Sequence, residues 1–226
     1  TKGMASASKT PYFSRFKALD HEGLVAFGGA LNVERLLDAY EHGIFPWPVD
    51  SGKDGLAWWS PDPRAILTLA DFHVPRRLAR TLSSGRFVVT FDQAFEHVVQ
   101  QCASVGDRKQ NTWITPEIID AYRALHEQGY AHSVEVWKDG ALSGGLYGVC
   151  LGSMFAGESM FSNQRDASKV ALVSIVQRLI GSGCTLFDIQ IFSQHLSQFG
   201  AIEISRHDFM SHLTKALTNA HCWPTP

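Results

Sequence analysis

Residues 131–162 read AHSVEVWKDGALSGGLYGVCLGSMFAGESMFS. Three strand-like segments lie here: His132 to Trp137, Leu142 to Val149 and Ser153 to Ser159. Lys138-Asp-Gly140 joins the first two as a hairpin signal, because a tight turn needs residues that tolerate positive φ. Downstream, Ala167 to Ile180 predicts a helix presenting Val170, Ala171, Ser174, Ile175 and Arg178 and ending at Gly181. Thr185 to Gln190 reads as a buried strand. A short helix near Ser193 to Phe199 and a last one over Arg206 to Thr218 follow. Upstream, Thr115-Pro116-Glu117 opens a helix with Thr as cap, Pro in the first turn and Gly129 as terminator. Thr90-Phe-Asp-Gln93 has the pattern of a capping box and predicts a helix to about Ala103. Ala65 to Leu69 and Phe87 to Thr90 read as strands. Further upstream, Trp58-Trp59 reads as a short strand, and Val33 to His42 as a helix capped by Asn32. The order β-α-α-β-β-β-α-β-α from Arg64 onward implies a mixed α/β domain around a central sheet.

Composition agrees with a folded enzyme-sized chain. The sequence has 226 residues, of which 45% are hydrophobic and 19% charged, enough for a core and too few charges for disorder. The formal net charge is −2, so contact with a polyanion needs a local basic patch. Cys102, Cys150, Cys184 and Cys222 form no C-x-x-C pair and read as buried, reduced thiols. The ten histidines show no H-x-x-x-H or H-E-x-x-H spacing, so no metal is expected. No apolar run has the length of a membrane span, and Thr1 to Thr10 lacks the apolar stretch of a signal peptide. The sequence reads as soluble and cytoplasmic.

Three clusters can carry chemistry. Glu158, in Gly157-Glu-Ser-Met-Phe161, is a carboxylate among large apolar residues, costly if buried without partners. It is either a rim residue held by a salt bridge or a functional group. In Leu186-Phe-Asp-Ile-Gln190, alternation places Phe187 and Ile189 on one face and Asp188 and Gln190 on the other. That polar pair marks either a strand end reaching solvent or a site. Arg76, Arg77 and Arg80 share a helix face suited to phosphates, or simply to water. Arg108 and Lys109 can add to it. Trp58, Trp59 and Trp113 are candidate stacking surfaces for a base, or core residues.

Read together, these stretches resemble the leucyl/phenylalanyl-tRNA–protein transferase family along nearly the whole chain. The resemblance is carried by Gly28-Gly-Ala-Leu31, Gly43-Ile-Phe-Pro-Trp47, Trp58-Trp-Ser-Pro-Asp-Pro-Arg64, Thr112-Trp-Ile-Thr115, Gly144-Gly-Leu-Tyr-Gly-Val149, Gly157-Glu-Ser-Met-Phe-Ser162, Ala167-Ser-Lys169 and Asp188-Ile-Gln190. It implies a small N-terminal α/β domain, residues 1–72, followed by a GNAT-like acyltransferase domain, residues 73–226. It also implies transfer of Leu or Phe, less readily Met, from aminoacyl-tRNA to proteins beginning with Arg or Lys, in the N-end-rule degradation pathway. No cofactor is implied. The family's catalytic positions fall on Asp188, Gln190 and Glu158. Its aminoacyl pocket looks like Leu146, Phe155, Met160, Ile175, Leu179 and Phe187. Its adenosine-contacting tryptophans look like Trp59 and Trp113.

The aminoacyl ester is already activated, so the acceptor's α-amine needs only placement and loss of a proton. A free Asp, with a pKa near ~3.9, is a poor base for an amine near ~7.7–8.0. Asp188 is therefore expected to orient the attacking amine by hydrogen bonding, with general-base action left open. Gln190 is expected to hold Asp188 or the tetrahedral centre, and Glu158 the donor's α-ammonium or the terminal ribose. Two other readings are a non-catalytic tRNA-binding protein, which would not need Asp188 and Gln190 together, and a CoA-dependent N-acetyltransferase.

Overall fold

A computed structural model describes residues 12–13, 22–48, 55–106 and 112–224. Arg108 and Lys109 lie outside the described residues. Near the N-terminus, β1 (Leu24–Phe27), β2 (Phe45–Pro46) and β3 (Ala57–Trp59) form a small antiparallel sheet in the order β1-β3-β2. Helix α1 (Val33–Glu41) packs beside it. Asn32 caps α1 by accepting from the Arg35 N–H at 2.9 Å, and Gly43 follows its end at φ +70°.

The main sheet has seven strands. They are β4 (Arg64–Leu67), β5 (Val88–Phe91), β6 (Ala131–Lys138), β7 (Ala141–Leu151), β8 (Met154–Ser162), β9 (Leu186–Gln190) and β10 (Ala201–Ile204). Their spatial order is β10-β4-β9-β8-β7-β6-β5, and only the β8–β9 pair is parallel. This is the mixed α/β architecture expected. Strand β4 lies before residue 72 and sits inside this sheet. The β6–β7 hairpin turns at Asp139 and Gly140, both at positive φ, as a two-residue turn matched to strand twist requires.

Helices α2 (Arg76–Ser83) and α5 (Ala167–Gly181) cover one face of the sheet. Helices α3 (Phe95–Ser104), α4 (Pro116–Glu127) and α7 (Arg206–Thr218), with α1, pack against the other. The short α6 (Gln194–Ser197) follows β9. Alternation along β7 sends Tyr147, Val149 and Leu151 into one core and Leu146 and Cys150 into the other. Helix α5 is buried around most of its circumference, not along one stripe, because it fills the groove between the sheet and α2. It runs through Gly181, and the left-handed residue that ends the segment is Gly183.

The capping-box reading at Thr90 does not hold. Thr90 belongs to β5, and α3 begins five residues later with no side-chain cap from its own segment. The Thr90 hydroxyl instead donates to the buried Glu135 carboxylate at 2.6 Å. Glu135 also accepts from the Gln93 and Ala94 N–H groups, each at 3.4 Å, so an anion from β6 serves the start of α3. The sequence reading also missed β1, β2 and β10, short edge strands with little periodicity of their own.

All four cysteines are free and buried. Among the described residues, no helix is long and apolar enough to cross a membrane.

Candidate active site

Strands β8 and β9 pair only from Met154–Leu186 to Ala156–Asp188. Beyond that point they part, and a cavity of about 340 Å³ opens between Gly157–Met160 of β8 and Ile189–Phe192 after and within β9. The carboxyl ends of adjacent parallel strands are a natural place for a site, since the chain turns away and leaves a crevice.

Glu158 reaches the wall through a β-bulge. Tyr147 pairs with Ser159 and Gly148 with Gly157, so Glu158 is the extra residue on β8. Its Oε1 accepts from the Tyr40 hydroxyl at 2.7 Å and from Gln190 Nε2 at 3.2 Å, and its Oε2 from the Tyr122 hydroxyl at 3.0 Å. The Tyr40 and Tyr122 hydroxyls meet at 2.5 Å. Burial pushes the Glu158 carboxyl up to about 7. The tyrosine hydrogen bonds oppose that rise, and the Asp188 charge adds to it. Burial also raises Tyr40 and Tyr122 well above their ordinary values, so both stay protonated donors.

Asp188 sits behind the wall. It is 1% exposed, and so is Arg64, its partner. Arg64 Nε donates to Asp188 Oδ1 at 2.9 Å and Nη2 to Oδ2 at 2.6 Å, a bidentate pair. The remaining Arg64 nitrogen, Nη1, donates to the Gly43 carbonyl at 2.9 Å, and the guanidinium lies over the Phe45 and Phe209 rings. Asp188 Oδ1 also accepts the Gln190 N–H at 2.9 Å. That bond explains the Asp-x-Gln spacing: it holds Gln190 at φ +57°, a left-handed conformation that aspartate side chains stabilise two residues on. The Gln190 side chain then turns to Glu158, not to Asp188.

The expected pocket residues divide. Leu146, Met160 and Phe187 line the cavity, joined by Leu172 and Leu196, which the sequence reading missed. Phe155, Ile175 and Leu179 are fully buried behind them, with Phe155 edge-on to Phe187 at 5.3 Å. A Cβ on Gly157 would come within 2.9 Å of the Phe187 ring, so glycine is what lets that ring lie against the strand.

At the rim, Trp113 stacks on Trp47, with ring centroids 5.2 Å apart and planes 17° apart. Trp47 was not among the candidate stacking residues, although Gly43-Ile-Phe-Pro-Trp47 fixes its place. Trp58 is fully buried. Trp59 lines a neighbouring hollow of about 260 Å³ with Glu22, Phe45, Trp47, Pro61 and Ile191. Trp59 Nε1 donates to the Trp47 carbonyl at 2.9 Å. Arg76, Arg77 and Arg80 are exposed on α2 and do not line the cavity.

Asp92, His126 and His132 cluster as metal ligands do. His132 bridges Asp92 at 2.9 Å and the Gly129 carbonyl at 3.1 Å, and His126 Nδ1 faces the Ala131 carbonyl at 2.8 Å.

The sequence matches the family described as leucyl/phenylalanyl-tRNA protein transferase over residues 66–214, and that family's N-terminal domain over residues 29–62. The chain belongs to this family. A leucyl/phenylalanyl-tRNA–protein transferase of Anaeromyxobacter sp. (strain K) is 50% identical over 211 residues, 92% of this chain and 89% of the relative. One of Azotobacter vinelandii is 49% identical over 191 residues, 84% of each chain. A crystal structure of FemX aligns with 76% of this chain and 66% of its own, at 12% identity and a TM-score of 0.48. The transferase is thus an enzyme that moves an amino acid from tRNA to a protein.

Proposed function

We propose that the transferase moves Leu or Phe, and less readily Met, from aminoacyl-tRNA to the α-amine of proteins beginning with Arg or Lys, committing them to N-end-rule degradation. The observation that carries this reading is the cavity itself, apolar at Leu146, Met160, Leu172, Phe187 and Leu196 and polar at Glu158 and Gln190. A side chain unbranched at its β-carbon, aliphatic or aromatic, fits the apolar part. A β-branched one would clash near the ester, and each missing CH₂ would forfeit about 0.8 kcal/mol. Trp47 and Trp113 offer aromatic faces for the terminal adenine. The neighbouring hollow supports a cationic acceptor side chain, since the aromatic residues Phe45, Trp47 and Trp59 line it together with Glu22.

Glu158 takes the proton. The attacking α-amine has a pKa near ~7.7–8.0, and the carboxylate at about 7 is matched to it within about one unit. The amine nitrogen bonds to the ester carbonyl carbon, and Glu158 accepts the ammonium proton. The ester C–O bond then breaks, and Glu158 returns the proton to the departing ribose oxygen. Gln190, held by Glu158 and Asp188, places its amide against the reacting centre. Asp188 is a positioning residue, acting through Arg64 and the Gln190 backbone.

The test is incubation with Leu-, Phe-, Met- and Arg-charged tRNA and an Arg- or Lys-starting peptide, read by mass spectrometry. Leu and Phe additions are expected to dominate. Equal addition from Arg-tRNA, or equal use of a peptide starting with Ala, contradicts the reading.

Gly157→Ala is expected to swing the Phe187 ring into the cavity. Transfer of Phe should then fall relative to Leu by about tenfold, measured as the ratio of kcat/KM values for the two charged tRNAs. An unchanged ratio removes Phe187 from the pocket wall.

A further inference from the structure

Beside the cavity lies a hollow of about 380 Å³ that the transfer chemistry does not use. Arg77, Arg165 and Lys169 line it, with Ser162, Ser168 and Gln198. The carboxylate among them is Asp166, 3.7 Å from Lys169 Nζ. Three cations against one carboxylate is a local excess in a chain of formal net charge −2. Helix α5 begins here with no acidic residue in its first turn, and Ser162 Oγ accepts its Ser168 N–H at 3.2 Å, so its positive end faces the hollow and adds to the field.

The hollow and the cavity share their walls. Strand β8 gives Met160 to the cavity and Ser162 to the hollow. Helix α5 gives Leu172 to the cavity and Ser168 and Lys169 to the hollow, one turn earlier, about 5 Å along the axis. Leu196 and Gln198 repeat the pattern around α6. On its far side the hollow meets Arg77, from which α2 carries Arg76 and Arg80 outward.

We infer that this hollow binds the backbone phosphates of the nucleotides just before the terminal adenosine of the donor tRNA. The inference rests on the reading that the cavity takes the aminoacyl end. Phosphate contacts carry no sequence information but fix register, which an enzyme serving different charged tRNAs needs at its ester. Arg165 presents the bidentate geometry that phosphate oxygens match, and it is exposed, so replacing it leaves the core intact.

The experiment compares Arg165→Ala and Arg165→Glu with the wild type on three donors: charged tRNA, a charged minihelix holding only the acceptor stem and 3′ end, and phenylalanyl-adenosine, which has no phosphate. Arg165→Ala should lower kcat/KM about tenfold with tRNA and with the minihelix, and Arg165→Glu more. Phenylalanyl-adenosine should change by less than about twofold. The slope of log rate against log salt should be shallower by about one for Arg165→Ala. Wild-type rates and slope in both variants overturn the inference. So does an equal loss with phenylalanyl-adenosine, or a loss confined to full-length tRNA. If the wild type cannot use phenylalanyl-adenosine while the variants still lose the minihelix, the cavity reading fails and the phosphate site stands.

Discussion

Asp188→Ala is expected to lower transfer from charged tRNA by about a hundredfold or more and to destabilise the fold by about 3–5 kcal/mol. The stability loss follows from Arg64. With its bidentate partner gone, a guanidinium 1% exposed is left with one carbonyl acceptor and two aromatic faces. The activity loss follows from Gln190. Its N–H loses the Asp188 oxygen at 2.9 Å, and nothing then offsets the strain of φ +57°, about 1–2 kcal/mol for a residue with a Cβ. The side chain that contacts Glu158 moves with it. The double variant Arg64→Met, Asp188→Leu separates the two effects. Apolar replacement of a buried pair is often neutral in stability, so it should recover the midpoint of denaturant unfolding without recovering transfer. If transfer recovers with stability, Asp188 has only a structural role.

Glu158→Gln is expected to slow transfer by about a hundredfold at pH 8 while making the fold more stable there. The sign follows from the raised carboxyl. The folded state keeps the Glu158 proton up to about 7, whereas the unfolded chain releases it near ~4.3. Its contribution to stability is therefore fully present below the unfolded value and is lost as pH rises through about 7. Glutamine carries no charge to desolvate, so the variant should lack that decline between pH 4 and 8. Denaturant midpoints measured across this range check it. A wild-type curve parallel to that of Glu158→Gln would place Glu158 in a solvated setting.

Much of this arrangement was legible in the sequence. The Lys138-Asp-Gly140 turn, the alternation across β6 to β8 and the caps at Asn32 and Thr115 are local signals, and each governs its own segment. Asp188 and Gln190 fall on one face by simple alternation, and Glu158 meets Gln190 because their strands are neighbours. What escaped depends on distant partners. The bulge that aims Glu158 is defined only by the register of β7 against β8. Arg64 is 124 residues from Asp188, so the carboxylate read as free to touch an amine is already committed. Glu135 serves the start of α3 from another strand. Trp47 lies in a Pro-bounded stretch without periodicity, and only the fold brings it against Trp113.

The central claim is that Glu158, ionising near neutrality, takes the proton of the attacking amine. The direct measurement is the single-turnover rate of transfer to an Arg-starting peptide against pH, for the wild type and Glu158→Gln. The wild type should show an inflection near pH 7 in addition to that of the peptide amine, and the variant only the latter. Identical profiles in the two proteins would contradict the claim.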